Sequence, residues 1–213
     1  MENKGISKAV ISRLPRYYRY LGELKAEGVE RISSNELSDK MWVTASQIRQ
    51  DLNNFGGFGQ QGYGYNVNYL FNEIGKILGI DRKNNMIVIG AGNMGQALTK
   101  YSSFQSYGFD IIGVFDVNTN LIGKAINGII VQDYSELTSF VRRNEVDIAV
   151  LTVPKEAAGK IAEHLVSLGV KAFWNFAYTD LQLGKDVVVE SVHLSDSLLR
   201  LSYAVKSKGD AHD

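Results

Sequence analysis

A chain of 213 residues is long for one small domain and sufficient for two, and its 45% hydrophobic content can form a core without disulfides or metal. The absence of cysteine excludes a disulfide framework, a thiolate zinc site and a thiol nucleophile, and it fits a reducing compartment. The 23 basic and 23 acidic residues cancel, so overall charge favours no acidic partner. We find neither a signal peptide at residues 1–9 nor an apolar run near the roughly 20 residues of a membrane span, so we expect a cytoplasmic protein.

The first 22 residues carry a local excess of positive charge, although the chain as a whole is neutral. Glu2 is their one acidic residue, and five of them are basic: Lys4, Lys8, Arg13, Arg16 and Arg19. Such a segment favours contact with an anionic partner. Pro15 is typical of a helix start, and the apolar spacing after it predicts an amphipathic helix that ends at Gly28.

Two short helices follow, because two capping signatures stand about 11 residues apart. These signatures are Ser33 with Glu36 and Thr44 with Gln47. The second helix has an apolar face and a polar face, and Gly56 is expected to end it. Its polar face comprises Ser46, Gln47, Arg49, Gln50 and Asn53.

Residues 56–65 hold five glycines interleaved with three aromatic residues, which predicts a β-hairpin. Asn66 then caps a further amphipathic helix that ends at Gly79. Three helices and a hairpin in this order indicate a winged-helix domain, which we assign to residues 1–80.

The polar face of the second short helix has two interpretations. By itself it is equally typical of an ordinary solvated helix. Its position after a helix and a tight turn, and before a wing, favours a recognition helix in the DNA major groove. In that case Gln47, Arg49 and Gln50 are donors to base edges, while phosphates are contacted by Arg13, Arg16 and Arg19.

Apolar strands alternate with helices from Met86 onward, which predicts an α/β fold with a Rossmann-type, doubly wound parallel sheet at residues 81–190. The strands are expected at 86–89, 111–115, 148–153, 173–176 and 187–189. A last amphipathic helix follows at 193–205, and residues 206–213 are expected to be a frayed tail. Its apolar residues at helical spacing are Leu194, Leu198, Leu201 and Val205. No later element of the chain can cover them, so we expect residues 191–213 to form a dimerisation segment.

The glycine loop Gly90–Gly95 follows the first strand and opens a helix expected to run through Tyr101. Gly90 permits a tight turn, Gly92 lets a pyrophosphate approach the backbone, and Gly95 lets helix and strand pack closely. Asp116 ends the next strand 21 residues after the last glycine, where a carboxylate accepts hydrogen bonds from an adenosine ribose. It would also repel a 2′-phosphate, so NAD(H) is favoured over NADP(H). The alternative is that any parallel sheet needs small residues at this turn.

A dehydrogenase needs a proton donor or acceptor near the nicotinamide. The candidates His164, His193 and His212 are each better interpreted as solvated or capping residues. Little chain remains for a substrate domain, so the nucleotide is expected to be a ligand rather than a reagent. Two alternatives stay open: an NAD-dependent oxidoreductase with a DNA-binding head, and a DNA-binding protein whose ligand is coenzyme A. Asp116 argues against coenzyme A.

In this order the motifs resemble the Rex family of redox-sensing bacterial repressors over nearly the whole chain. The matching segments are 14–21 (LPRYYRYL), 47–52 (QIRQDL) with Phe55-Gly56, the wing residues Phe58-Gly59, Gly62 and 64–67, then 90–95 with Tyr101, Phe115-Asp116, 152–154 (TVP) and 174–177 (WNFA). Two positions depart from the family pattern. Gln50 stands where a lysine is frequent, and His193-Leu194 stands where an aspartate and an aromatic residue are frequent.

The resemblance implies a homodimer with a C-terminal exchanged helix, which binds palindromic operators upstream of fermentation and respiration genes and leaves DNA when NADH binds. It extends the DNA-binding set to Thr44, Ser46, Gly59, Gln60, Gln61 and Tyr63. It extends the NADH and NAD set to Ala91, Asn93, Met94, Tyr101, Val117, Thr152, Val153, Pro154, Asn175, Phe176 and, across the dimer, Leu194. Dihydronicotinamide is neutral and the oxidised ring is cationic, so a pocket closed by Phe176 and Leu194 of a second subunit would favour NADH.

Overall fold

The computed structural model describes residues 6–55, 59–60 and 63–209. The chain divides into two compact units, Met1–Arg82 and Lys83–Asp213. Within the described residues no helix is long and apolar enough to cross a membrane.

The first unit is a winged helix, as expected from its sequence. Its elements in chain order are α1 (Lys8–Ile11), α2 (Leu14–Ala26), β1 (Arg31–Ile32), α3 (Ser34–Met41), α4 (Ala45–Asn53), β2 (Gly59–Gln60), β3 (Gly64–Asn66) and α5 (Val67–Leu78). The strands form an antiparallel sheet in the order β1-β3-β2. The expected hairpin is β2 with β3, whereas α1 and β1 were not predicted, because four and two residues are too short for a periodic signal.

Local capping explains where the helices of this unit begin. The backbone N–H of Glu36 donates to the hydroxyl of Ser33, and the N–H of Ser33 donates to the Glu36 carboxylate, so the capping box of α3 is confirmed. At α4, Thr44 accepts from the N–H of Gln47 at 3.1 Å. The reciprocal half is not formed there, because the Gln47 side chain bonds to Asp51 instead. Helix α4 ends at Asn53, and the expected stop at Gly56 lies outside the described residues.

The second unit contains the predicted strands, with boundaries that differ by up to two residues. Its elements are β4 (Asn84–Ile89), α6 (Asn93–Thr99), α7 (Ser103–Ser106), β5 (Phe109–Asp116), β6 (Ala125–Ile126), β7 (Ile129–Asp133), a 3-10 turn (Tyr134–Glu136), α8 (Leu137–Arg143), β8 (Ile148–Leu151), α9 (Lys155–Ser167), β9 (Ala172–Asn175), β10 (Val188–Ser191) and α10 (Leu194–Gly209). The hairpin of β6 and β7 was missed, although its turn, Asn127-Gly128, is a strong two-residue hairpin signal.

The sheet runs in the order β10-β9-β8-β4-β5-β7-β6 and is parallel except for the β6–β7 pair. The first strand, β4, lies in the middle, with β5 on one side and β8 on the other. The chain runs from β4 outward to β5 and β7 and then returns to place β8 on the other side of β4. The two halves of the sheet therefore meet between β4 and β8. A crevice opens at the carboxyl ends of these strands, which is where doubly wound sheets bind ligands.

Two helix boundaries correct the sequence predictions. Helix α6 ends at Thr99, so Tyr101 lies beyond it rather than within it; the Thr99 hydroxyl donates back to the carbonyl of Gly95 at 2.7 Å. Helix α10 continues to Gly209, so the frayed tail expected from residue 206 is wrong up to that point. Residues 206–208 contain no glycine or proline to stop the helix. Residues 210–213 lie outside the described part.

Candidate DNA-binding surface and nucleotide site

The polar face of α4 presents Ser46, Arg49 and Gln50 to solvent, as predicted. Gln47 departs from the prediction of an outward donor, because it is half-buried and its Nε2 donates to Asp51 at 2.8 Å. The N-cap Thr44 is exposed as well. Arg49 Nη1 donates to the hydroxyl of Ser34 at 2.8 Å, which anchors its guanidinium to the first turn of α3. Within the described residues its other N–H groups form no side-chain hydrogen bond, so they can donate to a base or a phosphate.

A buried carboxylate on the opposite side of α4 was missed by the sequence analysis. Asp51 is fully buried and accepts hydrogen bonds from Arg13, Tyr17 and Gln47. Burial raises the pKa of Asp51, but the hydrogen bonds from these three side chains outweigh it and hold the pKa below its ordinary value. Asp51 lies three residues after the buried Ile48, on the apolar face, and a carboxylate at such a position signals a buried partner.

Of the three predicted phosphate contacts, the structure gives Arg13 an intramolecular partner. Its Nε and Nη2 lie 2.6 and 2.7 Å from the two carboxylate oxygens of Asp51. Arg16 and Arg19 both lie near the ring of Tyr20, with distances of 5.9 and 5.4 Å from guanidinium carbon to ring centroid. Arg19 is exposed and Arg16 half-buried, so both keep access to solvent.

In the wing, Tyr63 is 70% exposed, and the predicted contact residue Gln61 lies outside the described residues. Gly59 and Gln60 form β2. Arg31 of β1, which was not predicted as a site residue, donates to the carbonyl of Tyr63 at 3.2 Å. Its guanidinium carbon also lies 5.9 Å from the Tyr63 ring centroid, so Arg31 braces the wing.

In the second unit the glycine loop has the geometry that its sequence requires. Gly90 has φ +98°, and a Cβ there would lie 2.6 Å from the carbonyl oxygen of Thr152. A Cβ on Gly95 would overlap the carbonyl of Gly90, whereas one on Gly92 would meet open space. Gly90 and Gly95 therefore allow the tight turn and the close helix packing, and Gly92 leaves the backbone open to a ligand.

Asp116 ends β5 beside this loop, and its carboxylate orders the surrounding backbone. Oδ2 accepts from the N–H of Ala91 at 2.5 Å, and Oδ1 accepts from the N–H of Asn118 at 2.7 Å. Each oxygen keeps a second lone pair that can accept a hydroxyl. The hydroxyl of Thr152 lies 2.7 Å from the carbonyl oxygen of Gly90, which joins the loop to the end of β8.

A cavity of about 240 Å³ lies at the carboxyl ends of the central strands, next to Asp116. Seven of the predicted nucleotide residues line it: Gly90, Gly92, Asp116, Val117, Thr152, Val153 and Pro154. The other loop residues, Ala91, Asn93, Met94 and Gly95, lie between the end of β4 and the first turn of α6. The wall also includes Tyr134, which the sequence analysis did not single out.

His164 corrects the interpretation of that residue as solvated or capping. It is half-buried in α9, with Nδ1 3.3 Å from the hydroxyl of Tyr134 and Nε2 3.1 Å from the hydroxyl of Thr138. Both ring nitrogens are thus engaged, and His164 holds the Tyr134 side chain in the cavity wall.

His193 has a buried Nε2 without a hydrogen-bond partner among the described residues.

The remaining predicted nucleotide residues do not line this cavity. Asn175 is fully buried, and its amide bonds to Thr179, Ser191 and the N–H of Ala177. The ring of Phe176 packs edge-on against that of Trp174, with 4.7 Å between the ring centroids. Tyr101 and Leu194 are 56% and 59% exposed. All four stay predictions for a more distant part of the ligand.

A winged helix whose α4 presents a polar face to solvent, in one chain with a Rossmann-type unit, defines a DNA-binding regulator that responds to a nucleotide. Residues 5–53 match the family described as putative DNA-binding protein N-terminus, and residues 81–179 match the CoA binding domain. The chain is 55% identical to the redox-sensing transcriptional repressor Rex of Thermoanaerobacter sp. (strain X514), covering 95% of this chain and 91% of the relative. It is 54% identical to the repressor Rex of Clostridioides difficile (strain 630), covering 96% and 97%.

Solved structures agree. The crystal structure of RSP in complex with beta-NAD+ and operator DNA matches with a TM-score of 0.92 and 54% identity, covering 97% of this chain and 95% of that chain. RSP in complex with beta-NADH matches with a TM-score of 0.87 and 52% identity, covering 96% of each. The chain belongs to the Rex family of redox-sensing transcriptional repressors.

Proposed function

We propose that this protein is a transcriptional repressor that binds palindromic operator DNA as a homodimer and leaves it when NADH binds. The observation that carries the proposal is the combination of the exposed face of α4 with the Gly90–Gly95 loop and Asp116 in one chain. The Rex-family structures that contain operator DNA with beta-NAD+, and beta-NADH, support the same pairing of ligands. NADH and NAD⁺ both occur in the cytoplasm, where we expect the protein to act.

On the DNA side, the exposed residues of α4 read base edges, with Arg49 as the main contact because a guanidinium pairs with guanine through two hydrogen bonds. Arg16 and Arg19 contact phosphates and set the register. Arg13 contributes mainly through Asp51, since two of its donors are committed there. The supporting DNA contacts are Thr44, Ser46, Gln47, Gln50, Gly59, Gln60, Gln61 and Tyr63.

On the nucleotide side, the pyrophosphate of NAD(H) is held by the backbone N–H groups of the loop and the N-terminus of α6. The Asp116 carboxylate accepts the adenosine ribose hydroxyls, and the adjacent cavity, with Tyr134 in its wall, takes adenosine. The nicotinamide end falls to Tyr101, Asn175, Phe176 and Leu194 of a second subunit. The dihydronicotinamide is neutral, so this apolar end favours NADH over the cationic oxidised ring.

The second subunit is required because α10 exposes its apolar side chains. Six of its large apolar residues are 59% to 74% exposed: Leu194, Leu198, Leu199, Leu201, Tyr203 and Val205. An apolar surface of this extent is stable in water when a second copy covers it, and exchange of identical terminal helices gives a two-fold dimer. A two-fold dimer matches a palindromic operator. If NADH and NAD⁺ favour different dimer arrangements, that difference in affinity moves the DNA-binding units.

We infer that NADH is a sensed ligand rather than a reagent, so the protein is not an enzyme. Close relatives are repressors, and His164, which bonds to Tyr134 of the cavity wall, has both ring nitrogens engaged by hydroxyl groups. An oxidoreductase with a DNA-binding head would instead oxidise NADH with an aldehyde or oxo acid. The other alternative is that coenzyme A is the ligand. In that case Asp116 would not accept hydrogen bonds from the ribose hydroxyls of NAD(H).

The test is a titration of a selected duplex. Duplexes enriched by the full-length protein from a randomised library should bind far more tightly than random duplex, and NADH should weaken that binding at least tenfold while NAD⁺ does not. Arg49→Ala should abolish specific binding and keep NADH affinity. Arg16→Ala should weaken binding to all sequences and reduce the salt dependence by about one phosphate contact. Release by coenzyme A alone, or NADH turnover, would instead support one of the two alternatives.

A further inference from the structure

The recognition helix contains one side chain whose orientation is set from inside the protein. Asp51 accepts four hydrogen bonds, two on each carboxylate oxygen. Oδ1 accepts from Arg13 Nη2 at 2.7 Å and from Gln47 Nε2 at 2.8 Å. Oδ2 accepts from Arg13 Nε at 2.6 Å and from the Tyr17 hydroxyl at 2.9 Å. A carboxylate has about four lone-pair positions, so all of them are filled.

The Asp51 group can only accept hydrogen bonds, because it stays ionised. It is fully buried, and an isolated buried charge is unfavourable, but the Arg13 guanidinium supplies the opposite charge at bonding distance. The hydrogen bonds hold the pKa of Asp51 below its ordinary value despite its burial. Any polar atom that faces Asp51 must therefore donate a hydrogen bond.

This requirement removes the ambiguity of the Gln47 amide. An amide presents an oxygen and an NH₂ group of almost the same shape, and only the NH₂ group can face a carboxylate. Gln47 lies one helical turn before Asp51 and directs Nε2 to it, so Oε1 is turned away from Asp51. Within the described residues Oε1 has no hydrogen-bond partner. Gln47 is half-buried, whereas Ser46 before it is exposed and Ile48 after it is buried.

We propose that Asp51 is a positioning residue that holds the Gln47 amide with its carbonyl oxygen available to DNA, so that this position recognises a base bearing an exocyclic amino group. In the major groove these donors are N6 of adenine and N4 of cytosine, whereas guanine and thymine present acceptors. Arg49, which only donates, complements guanine. The inference rests on the proposed DNA-binding function, and it adds which base edge one residue reads and what directs it.

The experiment uses the full-length protein with NAD⁺ and the selected duplex. Each adenine is replaced in turn by purine, and each cytosine by pyrimidin-2-one, so that single amino groups are removed. We expect one symmetry-related pair of positions where removal lowers wild-type affinity about tenfold, in the range of one base contact. Gln47→Ala should bind more weakly and show no loss at that pair. Asp51→Asn should also lose this sensitivity, because its amide can face either end of Gln47.

A matched control separates orientation from general support of the helix. Tyr17→Phe removes one hydrogen bond to Asp51 and leaves the bond to Gln47 intact, so it should keep the full sensitivity to the amino group even if overall affinity falls. The double change Gln47→Glu with Asp51→Asn reverses the hydrogen bond and restores an outward acceptor, so it should recover sensitivity that Asp51→Asn loses. Circular dichroism of each variant checks that it is folded.

The outcomes distinguish this inference from the proposed function. If no duplex is bound more tightly than random DNA, the proposed function fails. If selective and NADH-sensitive binding is present but Gln47→Ala keeps the wild-type sensitivity at every adenine and cytosine, the inference is wrong and the proposed function stands. Undiminished sensitivity in a folded Asp51→Asn variant would likewise remove Asp51 from the positioning role.

Discussion

The Tyr17 hydroxyl donates a hydrogen bond of 2.9 Å to Oδ2 of Asp51, and both residues are fully buried. The bond joins α2 to α4, the two helices that carry the candidate phosphate and base contacts. Burial and the hydrogen bond to Asp51 raise the pKa of Tyr17 above its ordinary value of 10.0, so the hydroxyl remains a donor at physiological pH. The position of α4, the candidate recognition helix, consequently depends on a charged group inside the core.

Acid should destabilise the first unit through Asp51. Its folded-state pKa lies below 3.8, so its contribution to stability is complete above that pH and is lost as the pH falls through the folded-state pKa. In denaturant titrations between pH 2 and 5, the free energy of unfolding should depend less steeply on pH in Asp51→Asn than in the wild type. At neutral pH this variant should lose about 3 kcal/mol, because Arg13 is left unpaired. Asp39→Asn, an exposed carboxylate on α3, is the control and should keep the wild-type slope.

Trp42 should be replaceable by glycine with a gain in stability. It caps α3 with φ +55°, a left-handed conformation that is unfavourable for a residue with a Cβ, and its side chain is 90% exposed. Trp42→Gly should raise the free energy of unfolding by about 1 kcal/mol, measured by urea denaturation. Trp42→Ala keeps the Cβ and should give no such gain. An equal gain from alanine would show that the indole, rather than the backbone conformation, is unfavourable.

Asp116→Ala should weaken NAD(H) binding about tenfold, because the carboxylate bonds to the backbone of Ala91 and is proposed to accept the ribose hydroxyls. Combining it with Val117→Arg at a 75% exposed position should improve NADPH binding, since the charge that repels a 2′-phosphate is replaced by an attractive one. Isothermal titration calorimetry with each nucleotide measures both effects. Equal wild-type affinity for NADH and NADPH would contradict the role of Asp116.

The apolar face of α10 should control assembly. Leu198→Glu with Leu201→Glu should shift the protein from dimer to monomer or aggregate in sedimentation experiments, because these exposed residues need a second copy to cover them. Operator affinity and the NADH response should fall together, since the proposed function makes each depend on the dimer. Truncation after Glu190 should have the same effects, although it also removes Ser191, the last residue of β10. Lys206→Glu on the same helix is the charge control. A stable dimer that still binds DNA after either disruption would place the interface elsewhere.

Much of the fold could be predicted from sequence because its signals are local. The capping box of Ser33 and Glu36, the Asn66 cap and the glycine loop each act within a few residues, and the structure contains all three. The alternation of apolar strands and helices likewise required only periodicity. Short elements such as β1 were missed, because two residues carry no period and β1 exists only through its pairing with β3.

Only the tertiary structure decided how distant side chains are used. Arg13 is a basic residue in a basic segment by sequence, but the fold brings it to Asp51, 38 residues away, and commits two of its donors there. The sequence favours a solvated or capping position for His164, but packing brings its ring to the Tyr134 hydroxyl, where it supports the cavity wall. The physical reason is that capping, turn geometry and amphipathic spacing depend on neighbours along the chain. A buried charge or ring can be assigned a partner only after helices and strands have packed, when its desolvation must be offset by whichever donor lies within reach.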